Sequence, residues 1–141
     1  MRNEVKIDQI TAPQTLPLRH AVMWPDKPLD YIKLPNDHQG LHYGLFVKQQ
    51  LVSVISLFVN GHEAQFRKFA TLTAEQGKGY GTQLLSHLFE QVETKGVQRL
   101  WCNARIDKAA YYERFAMKKT RQTFIKGGID YVIMEYVFKS P

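Results

Sequence analysis

Apolar and polar positions alternate along this chain in a way that marks out most of its elements. Val5 and Ile7, closed by the turn Thr11-Ala12-Pro13, predict a first strand. Gln14 to Trp24 predicts a helix with Leu16, His20, Met23 and Trp24 on one side. Pro17 is tolerated there only in the first turn. Pro25 to Gly40 shows no period; it carries Pro25, Pro28 and Pro35 with Asp26, Asp30 and Asp37, and reads as a long connection. Leu41 to Lys48 and Leu51 to Val59 predict a hairpin around Gln49-Gln50. The second of these strands is apolar on both faces, at Val52, Ile55, Leu57, Phe58 and Val59, so it is expected to be covered on both sides. Asn60-Gly61 turns the chain into a fourth strand, Ala64 to Leu72.

Beyond a glycine-rich turn the period changes to that of a helix. Tyr80, Leu84, Leu85, Leu88, Phe89 and Val92 share one face of a helix from Tyr80 to Lys95, which Gly96 stops. A strand at Arg99 to Ala104 follows and should lie parallel to the fourth. Asp107 is placed to cap a short helix containing Tyr111 and Tyr112. Lys119 to Ile125 and Ile129 to Phe138 close the chain as a hairpin around Gly127-Gly128. The sum is an α+β fold: a mixed, mostly antiparallel central sheet with helices on both faces.

The glycine turn carries the first chemical signal. Gln76, Gly77, Lys78, Gly79, Tyr80 and Gly81 lead from a strand into a helix N-terminus. Glycines there let backbone approach a ligand closely, and free N–H groups at the positive end of the helix dipole suit a phosphate or pyrophosphate. Thr73 with Gln76 also fits a capping box, which would start the helix at Thr73 with no ligand. A plain strand-to-helix connection is a further reading. The dinucleotide pattern is absent, because Thr82, Gln83 and Leu84 follow Gly81; the Walker pattern fails because Gly79 follows Lys78.

Composition narrows the classes. At 141 residues the chain most simply forms one domain, residues 1–141, with 44% hydrophobic and 23% charged residues, as in ordinary soluble proteins. No apolar run approaches the ~20 residues that span a bilayer, so no membrane is expected as partner. A single cysteine, Cys102, and an N-terminus without a signal-like apolar run fit a reducing cytoplasm. The formal charge of +6 admits an acidic ligand, but the basic residues are scattered, so no nucleic-acid partner is expected. The five histidines show no paired metal spacing, and no metal site is expected. Trp24 and Tyr31, beside three aspartates, would suit a cationic substrate, or simply a mobile connector.

The loop Gln76-Gly77-Lys78-Gly79-Tyr80-Gly81 resembles the Gln/Arg-x-x-Gly-x-Gly/Ala loop of the GNAT superfamily of acyl-CoA-dependent N-acetyltransferases. Arg67 to Leu72 resembles the strand that enters that loop. Ala110-Tyr111-Tyr112-Glu113-Arg114-Phe115-Ala116-Met117 resembles the family's Phe-Tyr-Glu-Lys-Leu-Gly-Phe segment, with Ala116 in place of Gly and Met117 in place of Phe. The likeness runs from about Leu51 to Phe138.

The resemblance implies an acyl-CoA N-acyltransferase fold, with acetyl-CoA as cosubstrate lying between the fourth and fifth strands where their ends splay. Backbone N–H groups from Gln76 to Gly81, through Gly77, Lys78, Gly79 and Tyr80, would hold the pyrophosphate, with Thr82 adding a hydroxyl. Backbone of Phe69, Ala70 and Thr71 would pair with the pantetheine arm, and an N–H there would polarise the thioester carbonyl. Tyr112 is the candidate general acid for the departing thiolate. Glu63 acting through a water, or the Asp37-His38 pair, is the candidate base. Asn103, pointing opposite to Cys102, is placed to reach the cofactor. The acceptor would be a primary amine of a small molecule or peptide, attacked directly in a ternary complex, and a homodimer is possible. Two rivals stand beside this: a non-catalytic CoA-binding or regulatory module, and a nucleic-acid binder suggested only by the charge.

Overall fold

Seven strands and three helices follow one another along the described residues, 4–138, of the computed structural model. Strands β1 (Val5–Ile10), β2 (Leu41–Val47), β3 (Gln50–Asn60) and β4 (Glu63–Thr71) form an antiparallel meander. Helix α2 (Tyr80–Thr94) crosses over to β5 (Arg99–Arg105), which pairs parallel with β4. The hairpin β6 (Lys118–Lys126) and β7 (Ile129–Val137) completes a single sheet in the order β1-β2-β3-β4-β5-β7-β6. Its turn, Gly127-Gly128, has φ of 58° and 77°, the left-handed pair that a two-residue hairpin needs.

Helices cover both faces, as the two-sided apolar run of β3 requires. On one face α2 and the short α3 (Ala109–Glu113) close the main core. Leu84, Leu85, Leu88 and Val92 are fully buried there with Leu45, Ile55, Leu57, Leu100 and Met134. Each such side chain contributes about 1.5–3 kcal/mol on burial, so this helix is held by its apolar stripe. On the other face helix α1 (Ala12–Met23) packs over a smaller core of Ile10, Leu18, Val54 and Ala70.

Helix α1 departs from the sequence expectation. It starts at Ala12 and not at Gln14, because the Gln14 Oε1 accepts a hydrogen bond from the Thr11 N–H at 2.8 Å and caps it there. Pro17 therefore lies inside the helix, past the first turn. The buried side is Thr15, Leu18 and Arg19, and Trp24 is exposed. Two polar residues occupy the buried stripe because their polar ends find partners: Thr15 Oγ1 donates to the Ala12 carbonyl at 2.7 Å, and both terminal nitrogens of Arg19 bind Asp37, although its buried Nε has no partner among the described residues. An apolar count could not find that face.

Two smaller expectations also shift. Asp107 lies in a 3-10 turn, Ile106–Lys108, and Lys108 holds the cap position of α3 with no side-chain cap. Thr73 opens only a 3-10 turn, Thr73–Glu75, and α2 begins at Tyr80, so the capping-box reading of Thr73 with Gln76 is set aside. Ala116, standing where the resembling segment has Gly, adopts φ of 64°.

Candidate functional site

The sheet opens where β4 and β5 part. Their parallel pairing covers Glu63↔Arg99, Ala64↔Leu100 and Gln65↔Trp101, and stops. From Phe66 onward β4 keeps its ladder to β3 but has no ladder partner on the β5 side, so its outer edge presents free peptide groups to a cleft. β4 also bulges within this stretch. Ser56 pairs with Arg67 and Val54 with Ala70, which leaves one residue too many on β4, and Lys68 takes φ of 54°.

The glycine turn lies at the end of this open edge. Gly77 and Gly79 have φ of 81° and 84°, and a side chain at either would meet nothing within 4 Å, so the backbone is bare to solvent. Gly79 is the cap residue of α2 and no side chain caps the helix, so the N–H groups of its first turn stay available. Gly81 has a different reason to be glycine: a Cβ there would sit 3.1 Å from Thr71 Oγ1 and 3.3 Å from the Phe69 ring. It locks the helix start against the β4 end. Gln76 Nε2 donates to the Thr71 carbonyl at 3.0 Å, and Lys78 Nζ pairs with Glu75 at 3.0 Å. These two side chains shape the loop from within. Tyr80 turns its ring into the core.

Helix α3 docks its two tyrosines on different partners. The Tyr111 hydroxyl shares a 3.0 Å hydrogen bond with Thr82 Oγ1 in the first turn of α2. The Tyr112 ring lies 5.7 Å from the Phe66 ring and neighbours Cys102. Phe66 and Cys102 are the first residues of β4 and β5 past their last shared pair, so Tyr112 occupies the apex of the fork. Its hydroxyl makes no hydrogen bond among the described residues. Burial pushes the phenol above its usual pKa, with Cys102 and Tyr111 adding to the effect. The Cys102 thiol is itself pushed up to about 12 by burial, which keeps it neutral and unreactive. Asn103 points away from this core, exposed, on the stretch of β5 past the fork.

The candidate bases sit elsewhere. Glu63 begins β4, six residues before Phe69, and its Oε1 accepts from Arg99 at 3.0 Å where the two strands still pair. It is at the closed end of the fork, which corrects the expectation that it reaches the cleft. Asp37 is bound on both oxygens by the fully buried Arg19, at 2.8 and 3.0 Å, and Oδ2 also accepts the Leu34 N–H at 2.9 Å. Burial alone would raise its pKa, but the Arg19 guanidinium and the Leu34 N–H hold the carboxyl below its usual value. Asp37 is thus an anchor for the long connection and is not paired with His38. The same cluster includes Ser56 Oγ, which accepts from Arg19 at 2.9 Å and lies 2.7 Å from His42 Nδ1. Sequence reasoning missed Arg19, His42 and Ser56, since each sits on a face read as apolar or exposed.

His38 lines a cavity of about 520 Å³ under α1 that touches none of the glycine turn. Trp24 and Tyr31 do meet, with centroids 5.4 Å apart, but Lys27 lies over the Tyr31 ring and Asp30 pairs with Lys33. The chain's own lysines take the place foreseen for a cationic substrate. Among the described residues no helix is long and apolar enough to cross a membrane, and no group of His, Cys, Asp and Glu is arranged to hold a metal.

Comparison with known proteins adds to this geometry. Residues 7–117 match the family model described as the acetyltransferase (GNAT) family. The chain is 27% identical to the uncharacterized N-acetyltransferase YitI of Bacillus subtilis (strain 168), over 94% of this chain and 95% of that one. Its fold is that of the ribosomal-protein-S18-alanine N-acetyltransferase of Escherichia coli, with a TM-score of 0.80 at 19% identity over 98% of this chain and 96% of that one. A GNAT family acetyltransferase from Elizabethkingia anophelis, solved with acetyl-CoA bound, superposes with a TM-score of 0.76 at 15% identity over 97% of this chain and 100% of that one.

Proposed function

The chain belongs to the GNAT family of acyl-CoA-dependent N-acetyltransferases, and from that premise we propose that it transfers an acetyl group from acetyl-CoA to a primary amine by direct attack in a ternary complex. The observation that carries this reading is the fork: a half-paired β4, an uncapped glycine turn at its end, and Tyr112 at its apex.

The residues present fit the cosubstrate. Bare backbone at Gly77 and Gly79, with the N–H groups that lead into Tyr80, Gly81 and Thr82, suits the pyrophosphate. Gln76 contributes backbone, its side chain being engaged with the Thr71 carbonyl, and Lys78, paired with Glu75 only at the surface, serves as a cation near the phosphates. The open edge of Phe69, Ala70 and Thr71 suits an extended arm carrying amide groups, and an N–H of the bulge is placed to polarise a thioester carbonyl. Asn103, on the opposite lip, extends the cofactor wall.

Acetyl-CoA supplies an acyl group with a good leaving thiolate. The acceptor nitrogen forms the new C–N bond, the C–S bond breaks with its electron pair on sulfur, Tyr112 gives its proton to that sulfur, and the proton the nitrogen loses on becoming an amide leaves to water, from which Tyr112 is reprotonated. Burial raises the phenol, so Tyr112 stays protonated and holds a proton to give at neutral pH. Glu63 is not assigned as base, since Arg99 holds it at the far end of the strand. The amine sheds its proton to water before attack, so kcat/KM should climb with pH up to the amine's own pKa.

Calorimetric titration with acetyl-CoA, followed by a thiol-release assay across a panel of amines, tests this. Saturable binding and amine-dependent release are expected. No binding at millimolar acetyl-CoA would end the proposal.

A further inference from the structure

The bulge in β4 has an electrostatic result. Arg67 sits opposite Ser56, whose hydroxyl accepts from Arg19, so Arg67 lies on the α1 face of the sheet. The bulge residue Lys68 follows Arg67 directly, opposite Ile55 together with Phe69. Lys68 feels the charges of Arg67, Arg19, Asp37 and, from the β6–β7 hairpin, Lys126. Four cations then share one carboxylate, and Asp37 is already held on both oxygens by Arg19. Among the described residues neither Arg67 nor Lys68 forms an ion pair or a side-chain hydrogen bond. Both are half-buried, so solvent only partly compensates them.

We propose that Arg67 and Lys68 form an anion subsite for the acceptor, so that the substrate is an amine carrying a carboxylate, sulfonate or phosphate on a short spacer. This rests on the acyl-transfer reading of the cleft. Lys68 immediately precedes Phe69, where the open edge begins to hold the acyl arm, and an anion gripped here leaves its attached amine beside the thioester. Arg67 supplies a planar fork that matches an oxyanion, and Lys68 a point charge. The pair also works on the amine. Burial and the neighbouring cations lower the pKa of Lys68 itself, and a substrate ammonium placed among them meets the same penalty and more readily gives up its proton.

Calorimetric titration of CoA-saturated protein, with O-phosphoethanolamine, taurine and γ-aminobutyrate against n-propylamine, decides the point. Saturation with CoA removes the glycine turn as a competing anion site. At least one anionic amine should bind about tenfold tighter than n-propylamine, a margin that shrinks with added salt. Arg67→Gln and Lys68→Gln should each abolish most of that margin, and Lys68→Arg should keep it, with the acetyl-CoA Kd within about twofold of the parent throughout. Equal binding of all four amines, or a margin that survives both glutamine variants in folded protein, overturns the assignment. If CoA itself does not bind, the acyl-transfer reading falls alone, and the same titration on free protein decides the anion subsite.

Discussion

Tyr112 packs its ring 5.7 Å from Phe66, the first residue of β4 to lose its partner on β5. The acid candidate is thus fixed by the strand whose opening makes the cleft. Tyr112→Phe keeps that contact and removes only the proton. Single-turnover acetyl transfer should fall by roughly 10²-fold or more, with the acetyl-CoA Kd nearly unchanged. An unchanged single-turnover rate would falsify the role of Tyr112 as acid.

Tyr111→Phe should behave in the opposite way. Its hydroxyl holds Thr82 at the mouth of α2, so losing it should cost about 1 kcal/mol, read as a severalfold weaker acetyl-CoA Kd. The single-turnover rate at saturation should stay near the parent's. A large loss of rate in Tyr111→Phe and none in Tyr112→Phe would exchange the two assignments.

Gly79→Val should weaken acetyl-CoA binding at least about tenfold, or about 1.4 kcal/mol. At φ of 84° a β-branched residue is strained, and relieving the strain turns the N–H groups away. Nothing crowds the site, so the fold should survive with a modest loss in Tm. Gly81→Val is the less clean probe, because it would push on Thr71 and Phe69. Parent-like affinity in folded Gly79→Val would mean that the turn does not hold the pyrophosphate.

Ala116→Gly should stabilise the protein by about 1 kcal/mol, because alanine at φ of 64° bears a left-handed penalty that glycine lacks. In a chain of this length that is a rise in Tm of about 3 °C by differential scanning calorimetry. A fall in Tm would show that the alanine methyl contributes packing that outweighs the strain.

Asp37→Asn should cost about 3 kcal/mol at neutral pH, since it strands the fully buried Arg19 charge. The folded carboxyl titrates below its unfolded value, so its contribution is complete above about pH 4 and is lost as pH falls through the lower, folded pKa. Urea unfolding of parent and variant should therefore differ by a constant amount above about pH 5 and converge in acid. A gap that stays constant to the lowest accessible pH would remove Asp37 as the source.

What the sequence conveyed follows from which signals have a period. The α2 stripe from Leu84 to Val92 and the double-sided β3 run reported their burial faithfully, and Gly127-Gly128 its turn. Arg19 was silent because an arginine buried by its partners looks like a surface residue, and its partner Asp37 lies 18 positions away across a loop. The β4 bulge was silent as well, since Lys68 in a left-handed conformation breaks the alternation without any glycine to announce it. Glu63 had the right chemistry at a strand end, but only the register shows which end is open.

A ladder that stops at Gln65 and Trp101 leaves this sheet unfinished, and whatever extended molecule enters the gap completes it. Occupancy and folding are then a single linked equilibrium. Ligand present at 100 times its Kd adds about 2.7 kcal/mol to the folded state, a large share of what a domain of this size possesses. The resistance of this protein to heat or proteolysis would then act as a gauge of the acyl-donor level around it, rising and falling with supply before any acetyl group is transferred.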